Sequence, residues 1–277
     1  MILVDNSQLF FSSFFAHNRE PSLDLNEELV RHTLISEYAD INKRFKKKYG
    51  ELVLCQDAGN YWRTDIYSGY KKGRKELKKT DTGVDWQKLY DLFHNIKEEI
   101  AQNLPYQNIQ VPKCEADDII FVACKHAPTT EKILVVSSDK DMMQLYRYKN
   151  VEIYNPRNSA ITPRPSDVEA MLMEHIIRGD ASDSIPNILT PTKDYLSGIR
   201  QKPITKKRLL DFQVNGGMDK KNLERNQQLI DMSYIPIEYE DKIVEELEKE
   251  FTPDRSKIFN YFVENKMKLL MDSVHNI

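Results

Sequence analysis

Short apolar segments alternate with helix-like segments through the first half of the chain, and this alternation restricts the fold more than any other feature. Between the apolar segments, residues 25–48 and 86–103 carry apolar side chains near helical spacing, which predicts helices. Strands that alternate with helices are typical of a mostly parallel sheet. The predicted strands are 2–4, 52–55, 109–111, 133–136 and 151–154. The sequence therefore predicts the α/β class, with a central, mostly parallel sheet flanked by helices.

The second half of the chain differs in character from about Pro163 onward. Residues 167–277 show helical patterns almost throughout, with loops rich in Pro, Gly and Asn around 181–203 and 214–219. We therefore predict an α/β core over residues 1–160, including a basic segment at about 61–85, and an all-helical region over 161–277.

Composition excludes several classes of protein. A hydrophobic fraction of 40% and a charged fraction of 30% are typical of a folded, soluble chain. The net charge of −3 gives no indication that the protein binds nucleic acid. The three cysteines, Cys55, Cys114 and Cys124, lack CxxC spacing, so we expect reduced thiols without zinc or disulfides. No apolar run approaches the roughly 18 residues of a membrane span, and no signal peptide is recognisable. We expect a cytoplasmic protein without membrane contact.

Acidic residues recur where several predicted strands end. The carboxyl ends of parallel strands meet at one edge of a sheet, where functional groups gather. Further acids open a predicted helix, and two more occur in the helical half. The nine carboxylates are Asp5, Asp57, Glu115, Asp117, Asp118, Asp139, Asp141, Asp180 and Asp183.

Nine carboxylates around one crevice would repel one another strongly unless cations neutralised their charges. All-oxygen ligands suit Mg²⁺ or Mn²⁺ rather than zinc, and two such ions can support hydrolysis of a phosphodiester. A single Asp after a strand is more often a helix cap, and an acidic pair also suits a helix N-terminus. Several carboxylates around one crevice are harder to explain as caps. The sequence therefore predicts a metal site there.

These acidic blocks, in their order and spacing, resemble the 5′-nuclease (flap endonuclease) superfamily, and within it the ribonucleases H of T-even-type bacteriophages. The resemblance rests on Val4-Asp5, Gln56-Asp57, Glu115-Ala116-Asp117-Asp118, Ser138-Asp139-Lys140-Asp141 and the Gly179-Asp180 block through Pro186. It extends to Tyr61-Trp62-Arg63, to the segment Tyr70 to Arg74, and to a tail over 257–263, so it spans nearly the whole chain.

The resemblance implies a role for each acid. Asp5, Asp57, Glu115, Asp117 and Asp139 would line a first Mg²⁺ position. Asp118, Asp141, Asp180 and Asp183 would support a second, with Mn²⁺ as a substitute ion. Lys71 matches a family lysine that acts on the scissile phosphate, with Arg63 and Arg74 as its basic neighbours.

The basic segment carries six cations in nine residues, from Lys71 to Lys79, after Tyr61, Trp62, Tyr67 and Tyr70. Such a run is usually a solvated face, but aromatics interleaved with cations suit single-stranded nucleic acid. In the family this segment forms the arch or clamp through which the 5′ strand passes. Tyr70, Lys72 and Lys75 are therefore predicted to bind nucleic acid.

The resemblance also implies a helix–turn–helix variant that binds duplex backbone, opening at Gly179. Lys206, Lys207 and Arg208 suit its second helix, and a longer, proline-containing loop over 189–204 replaces the usual Gly-x-Gly hairpin. The alternative is a surface loop with solvated lysines. The six histidines show no ligand spacing, and we expect ordinary surface or core roles for them.

Taken together, the resemblance implies 5′-to-3′ exonuclease and flap endonuclease activity that removes RNA primers and adjacent DNA during phage-type replication. Substrates would be RNA–DNA hybrids and nicked or 5′-flap DNA. Replication proteins, namely a single-strand-binding protein and a sliding clamp, are candidate partners of a monomer. A PIN-type ribonuclease and a non-catalytic nucleic-acid-binding module remain as alternatives.

Overall fold

The computed structural model describes residues 1–17, 26–80, 83–217, 219–272 and 274–277, without the side chains at 75, 79, 213 and 276. Six strands form one sheet in the order β3-β2-β1-β4-β5-β6. The first five run parallel and the short β6 pairs antiparallel to β5. The strands are β1 Ile2–Asp5, β2 Leu52–Gln56, β3 Gln107–Gln110, β4 Ile133–Val136, β5 Val151–Asn155 and β6 Ala160–Ile161. The predicted fold class is confirmed.

Helices occupy most of the remaining described chain. Those of the first half are α1 Asn6–His17, α2 Glu27–Tyr49, α3 Arg63–Ile66, α4 Lys72–Thr80, α5 Trp86–Asn103 and α6 Ala116–His126. Those of the second half are α7 Val168–Arg178, α8 Thr192–Leu196, α9 Lys206–Asn215, α10 Lys220–Ile230, α11 Ile237–Glu248, α12 Ile258–Glu264 and α13 Lys268–Met271. Short 3₁₀ helices span Asp141–Arg147, Met232–Tyr234 and Val274–Asn276.

Both faces of the sheet are covered, as a parallel sheet requires. Alternation along β1 places Ile2 and Val4 in one core and Leu3 in the other. The first core also contains Phe262 of α12, and the second contains Ile243 of α11. Helices from the second half of the chain thus pack against both faces of the sheet. The division near residue 160 stays a prediction from the sequence.

The strand order reverses between β1 and β4. The chain proceeds from β1 to β2 and β3 on one side, and from β4 to β5 on the other. Crossover connections that diverge from such a point leave a crevice outside the carboxyl ends of the two central strands. The sheet therefore places its crevice where Asp5 ends β1 and where residues 137–141 follow β4.

A smaller core joins the base of the basic segment to the helical region. Tyr67 and Tyr70 pack with Leu172 and Ile176 of α7 and with Leu229 of α10. All three cysteines are buried free thiols, as expected. Among the described helices, none combines the length and the apolar character that crossing a membrane would need.

Candidate active site

Four carboxylates meet in the crevice at the strand ends. Asp5 is buried, and its oxygens accept hydrogen bonds from the backbone N–H of Gln8 (3.1 Å) and the hydroxyl of Ser137 (3.2 Å). Asp57, just past β2, accepts from the backbone N–H of Ala116 at 2.9 Å. The other two are Asp117, in the first turn of α6, and Asp139, which follows β4.

The charges of these residues act on one another. Burial, then the charges of Asp57 and Asp139, raise the pKa of Asp5 to about 7. Burial and the charges of Asp5 and Asp139 raise the pKa of Asp117 well above its usual range. Carboxylates crowded to this degree fit a divalent cation, which relieves their repulsion and accepts oxygen ligands. We call Asp5, Asp57, Asp117 and Asp139 the first acidic group.

Glu115 lies beside the first acidic group but faces cations. Its carboxylate accepts hydrogen bonds from Lys71 Nζ, from Arg63 Nη1 at 2.8 Å and from the Tyr70 hydroxyl at 2.8 Å. Although burial opposes ionisation, Lys71 and Arg63 lower the pKa of Glu115. Its predicted place at the first ion stays a prediction, because both oxygens already have donors in this structure.

Asp118 has a structural environment, and its predicted support of a second ion stays a prediction. Its side chain is fully buried. It accepts hydrogen bonds from the indole of Trp62 (3.0 Å), both terminal nitrogens of Arg63 (3.1 and 2.8 Å) and the backbone N–H of Glu115 (2.9 Å). With both oxygens engaged and no access to solvent, Asp118 caps α6 and holds Arg63.

The predicted role of Arg63 at the scissile phosphate stays a prediction. Only 3% of the residue is exposed in this structure. Its guanidinium joins Glu115 to Asp118 and donates to the carbonyl of Leu229 at 3.1 Å. Arg63 therefore supports the acids and the adjoining α10 from behind and does not reach the crevice.

Lys71 and Arg74 are the cations that line the site. Lys71 takes a left-handed conformation with φ of +55°, which costs a non-glycine residue on the order of 1 kcal/mol. Its backbone N–H donates to the carbonyl of Asp183 at 2.8 Å. Lys71 Nζ contacts Glu115 and lies 4.0 Å from Asp183, and Arg74 Nη2 lies 2.5 Å from Asp183 Oδ1. The strained backbone thus turns Lys71 toward the acids.

A tight turn brings the second half of the chain to the crevice. Asp180 and Ile185 exchange backbone hydrogen bonds of 2.9 and 2.7 Å. Gly179 has a φ of +69°, and a Cβ there would lie 2.5 Å from the carbonyl oxygens of Ile185 and Pro186. Only glycine fits this position. The turn explains why Gly179 precedes Asp180 and how Asp183 reaches Lys71.

A second cluster joins Asp141, Asp180 and His175. His175 Nδ1 lies 3.4 Å from Asp141 Oδ1, and His175 Nε2 lies 3.4 Å from Asp180 Oδ2. One ligand atom from each residue lies within 4.8 Å of the others, an arrangement that could hold a metal ion. Burial and the charge of Asp139 raise the pKa of Asp141 to about 7. This second group contains two of the predicted acids.

His175 was expected to be an ordinary histidine, and the structure corrects this. Although burial favours the neutral ring, the hydrogen bond to Asp180 and the charge of Asp141 raise the pKa of His175. The only signal in the sequence is its position in the last turn of a helix that leads into Gly179-Asp180.

The aromatic residues of the basic segment do not form the expected stacking surface. Trp62, Tyr67 and Tyr70 are at most 5% exposed, because they pack into the cores beneath the segment. Tyr70 was predicted to bind nucleic acid, but its hydroxyl donates to Glu115 and Asp183 instead. A base could stack on one of these three rings only if that ring left its core, so the predicted contact of Tyr70 with nucleic acid stays a prediction.

Two helices, α4 and α9, carry exposed cations. Lys72 on α4 is exposed and pairs with Glu76 at 3.7 Å, while the side chain of Lys75 lies outside the described residues. Lys206, Lys207 and Arg208 are exposed in the first turn of α9, which Thr205 caps. Because these three side chains are exposed, a duplex could approach them, and their contact with it stays a prediction.

Two family models match the chain. The 5′-3′ exonuclease, N-terminal resolvase-like domain matches residues 1–174, and the T4 RNase H C-terminal domain matches residues 166–277. Ribonuclease H of Enterobacteria phage T4 is 28% identical, over 99% of this chain and 94% of that protein. The 5′-3′ exonuclease of Aquifex aeolicus is 26% identical, over 100% of this chain and 96% of that protein.

The fold resembles solved structures of a phage enzyme. The T5 5′-exonuclease with divalent zinc ions superposes with a TM-score of 0.62 at 16% identity, covering 99% of both chains. The bacteriophage T5 flap endonuclease with DNA and metal ions gives 0.61 at 16% identity, covering 99% of this chain and 98% of that chain. At such identity the likeness concerns the fold.

Proposed function

Because the chain belongs to the 5′-3′ exonuclease family, we propose that it hydrolyses phosphodiester bonds at or near the 5′ end of a nucleic acid strand. The observation that carries this proposal is the meeting of the first acidic group with Lys71 and Arg74 at one crevice. Family models match both halves of the chain, which favours a 5′-nuclease over a PIN-type ribonuclease.

The chemistry requires divalent ions, for which we propose two Mg²⁺, with Mn²⁺ as a substitute. The first acidic group would hold one ion, and the cluster of Asp141, His175 and Asp180 would form the position of the other. Such ions, when bound, lower the pKa of a coordinated water and stabilise the leaving oxygen. Asp183 supports this position indirectly, through the cations it binds.

The protein's own cations act on the phosphate. Lys71 and Arg74 are bound to Glu115 and Asp183 without substrate, so a phosphate entering the crevice would compete for them. Once transferred to the phosphate, their positive charge stabilises the negative charge that develops in the transition state. Glu115 and Asp183 therefore position the two cations.

The substrates we propose are RNA–DNA hybrids and nicked or 5′-flap DNA, with primer removal during replication as the role. The solved T5 flap endonuclease contains DNA, and the T4 relative is a ribonuclease H. Exposed cations on α4 and α9 suit phosphate backbone rather than bases, so cleavage should depend on substrate shape. We propose a cytoplasmic monomer, with a single-strand-binding protein and a sliding clamp as candidate partners.

The test is digestion of end-labelled nicked, flapped and hybrid substrates with Mg²⁺, followed by measurement of product lengths. We expect short products from the 5′ end, none in EDTA, and none from Asp139→Asn. Asp91→Asn, an exposed change on α5, serves as the matched control and should cleave normally. Metal-dependent cleavage that persists in Asp139→Asn would overturn the site. Cleavage of free single-stranded RNA but not of flaps would favour the PIN-type alternative.

A further inference from the structure

The second cluster differs chemically from the first acidic group. The first group offers only carboxylate oxygens, whereas the second combines the carboxylates of Asp141 and Asp180 with the imidazole of His175. Resting on the proposed function, we propose that His175 Nδ1 and Asp141 together bind the second divalent ion. This nitrogen ligand makes the position selective for Mn²⁺ and other transition ions over Mg²⁺.

The separations suit a shared ion. Ligands at about 2.1 Å from an octahedral ion are about 3.0 Å apart when adjacent and about 4.2 Å when opposite. The gap from His175 Nδ1 to Asp141 Oδ1 is 3.4 Å, within that range. It is also long for a hydrogen bond, since strong charged N–H···O bonds are about 2.7–2.9 Å. Nδ1 and the Asp141 carboxylate therefore converge without a tight hydrogen bond between them.

The two sides of the ring are not equivalent. Asp180 Oδ1 accepts hydrogen bonds from the backbone and hydroxyl of Ser182, both at 2.7 Å, and from the backbone N–H of Asp183 at 3.3 Å. This turn holds Asp180 in place, with Oδ2 facing His175 Nε2. Asp141 instead lies two residues after Asp139, and its backbone N–H donates to Asp139 Oδ1 at 2.9 Å. Nδ1 thus faces the crevice and Nε2 faces the turn.

This asymmetry matches a common arrangement of metal-binding histidines. A histidine that binds a metal through one ring nitrogen usually donates the other N–H to a carboxylate, a backbone carbonyl or a water, which orients the ring. Asp180 occupies that orienting place. Asp180 is therefore a positioning residue for His175, whereas His175 and Asp141 contact the ion.

The choice of ion follows from the ligand chemistry. Imidazole suits transition metals, whereas Mg²⁺ prefers oxygen and keeps its waters. Replacing one oxygen ligand by nitrogen therefore shifts the preference of the position from Mg²⁺ toward transition ions, including Mn²⁺. The first acidic group, with oxygen ligands alone, lacks this discrimination.

A second histidine–carboxylate pair provides the matched control. His126 Nε2 lies 2.6 Å from Glu240, which also binds Lys125 at 2.7 Å. That pair joins the last residue of α6 to α11 and shares no residue with either cluster. His126→Gln removes an imidazole beside a carboxylate without touching the proposed ion site.

The experiment uses the full chain without nucleic acid. Mn²⁺ binding is measured by calorimetry, and pulsed EPR of bound Mn²⁺ reports whether a nitrogen is directly coordinated. We expect two bound ions and a ¹⁴N coupling in the wild type and in His126→Gln. His175→Gln should lose the coupling and weaken the second Mn²⁺ by at least about tenfold, with a smaller change for Mg²⁺. Asp180→Asn should keep the coupling while weakening that ion about 10–100-fold.

The outcomes separate this inference from the proposed function. Two bound Mn²⁺ ions without ¹⁴N coupling would overturn the ligand assignment, while Mg²⁺-dependent cleavage could still stand. Binding of no divalent ion would overturn both. Loss of the coupling in His126→Gln would place the nitrogen elsewhere and likewise overturn the assignment.

Discussion

Arg63 and Asp118 form a buried, two-pronged ion pair, in which Nη2 lies 2.8 Å from Oδ1 and Nη1 lies 3.1 Å from Oδ2. This pair ties the short α3 to the first turn of α6, 55 residues later in the chain. Because Arg63 also contacts Glu115, it sets the orientation of the residue that holds Lys71. The pair is part of the framework behind the site.

Replacing Arg63 with Met should destabilise the fold by about 3–5 kcal/mol, because Asp118 would remain as a buried charge without its partner. Denaturant unfolding measures the change. Lys249→Ala, which breaks the exposed pair with Glu246, is the control and should cost at most about 1 kcal/mol. A loss of activity in Arg63→Met with unchanged stability would contradict the structural role and would support direct action of Arg63 on the scissile phosphate.

Lys71→Ala should reduce turnover by about 10²–10³-fold while changing duplex affinity little, because its charge is needed chiefly in the transition state. Single-turnover kinetics and binding titrations measure the two quantities. Lys43→Ala removes an exposed lysine on α2 that belongs to no predicted site, and it should leave both quantities nearly unchanged. An equal loss of turnover and affinity in Lys71→Ala would show a binding role only.

Asp5 predicts how the metal-free protein responds to pH. Its pKa is about 7 when folded and near 3.8 when unfolded, so the folded state retains a proton between these values. Stability from this group is therefore lost as pH rises from about 4 to 7 and stays low above 7. Asp5→Asn should stabilise the protein in EDTA by up to about 4 kcal/mol at pH 8, and by clearly less at pH 5.

Urea unfolding in EDTA at both pH values measures the effect of Asp5→Asn. Asp91→Asn, on the exposed face of α5, controls for the general effect of removing a negative charge. Equal stabilisation at pH 5 and pH 8 would show that ionisation of Asp5 within the first acidic group does not destabilise the fold.

Gly179→Ala should open the turn that carries Asp180 and Asp183. The substitution imposes an unfavourable φ of +69° and a contact of 2.5 Å with two carbonyl oxygens. Gly216 has the same φ of +69° with no heavy atom within 4 Å, so Gly216→Ala isolates the cost of the backbone conformation, about 1 kcal/mol.

We expect Gly179→Ala to lose clearly more stability than Gly216→Ala and to cleave poorly, while Gly216→Ala remains active. Thermal unfolding and the flap assay measure the pair. If both variants lost the same amount of stability, the close approach of the Ile185 and Pro186 carbonyl oxygens to position 179 would make no contribution to stability.

The sequence predicts the sheet well because its strands are short, apolar and clearly bounded. The prediction for β4 at 133–136 and that for the helix at 86–103 match the structure residue for residue. It misses α1, although the four phenylalanines of that helix lie at i, i+4 spacing, and it misses β6, which has only two exposed residues. β6 is too short to show a periodic pattern.

For the candidate site, spacing brings the acids to one crevice but cannot show which of them meet cations. The environment of Asp118 depends on Arg63, and that of Asp183 on Arg74, across long stretches of chain. Burial of Tyr70 also depends on α7 and α10, which no local pattern reveals. Local sequence patterns therefore identify the candidate acids. Tertiary contacts decide whether each acid is free to bind a metal ion, pairs with a basic side chain or supports the fold.

The contact between Arg74 and the turn at 182–183 has a consequence for biosynthesis. Arg74 Nε donates to the carbonyl of Ser182, 108 residues later, at 3.1 Å, and the backbone of Lys71 donates to Asp183. A nascent chain exposes the cations and strand-end acids well before the ribosome has made their partners. Assembly of the site must therefore wait until the helical region has been synthesised, so a prematurely terminated chain would carry the acids without the positioned cations.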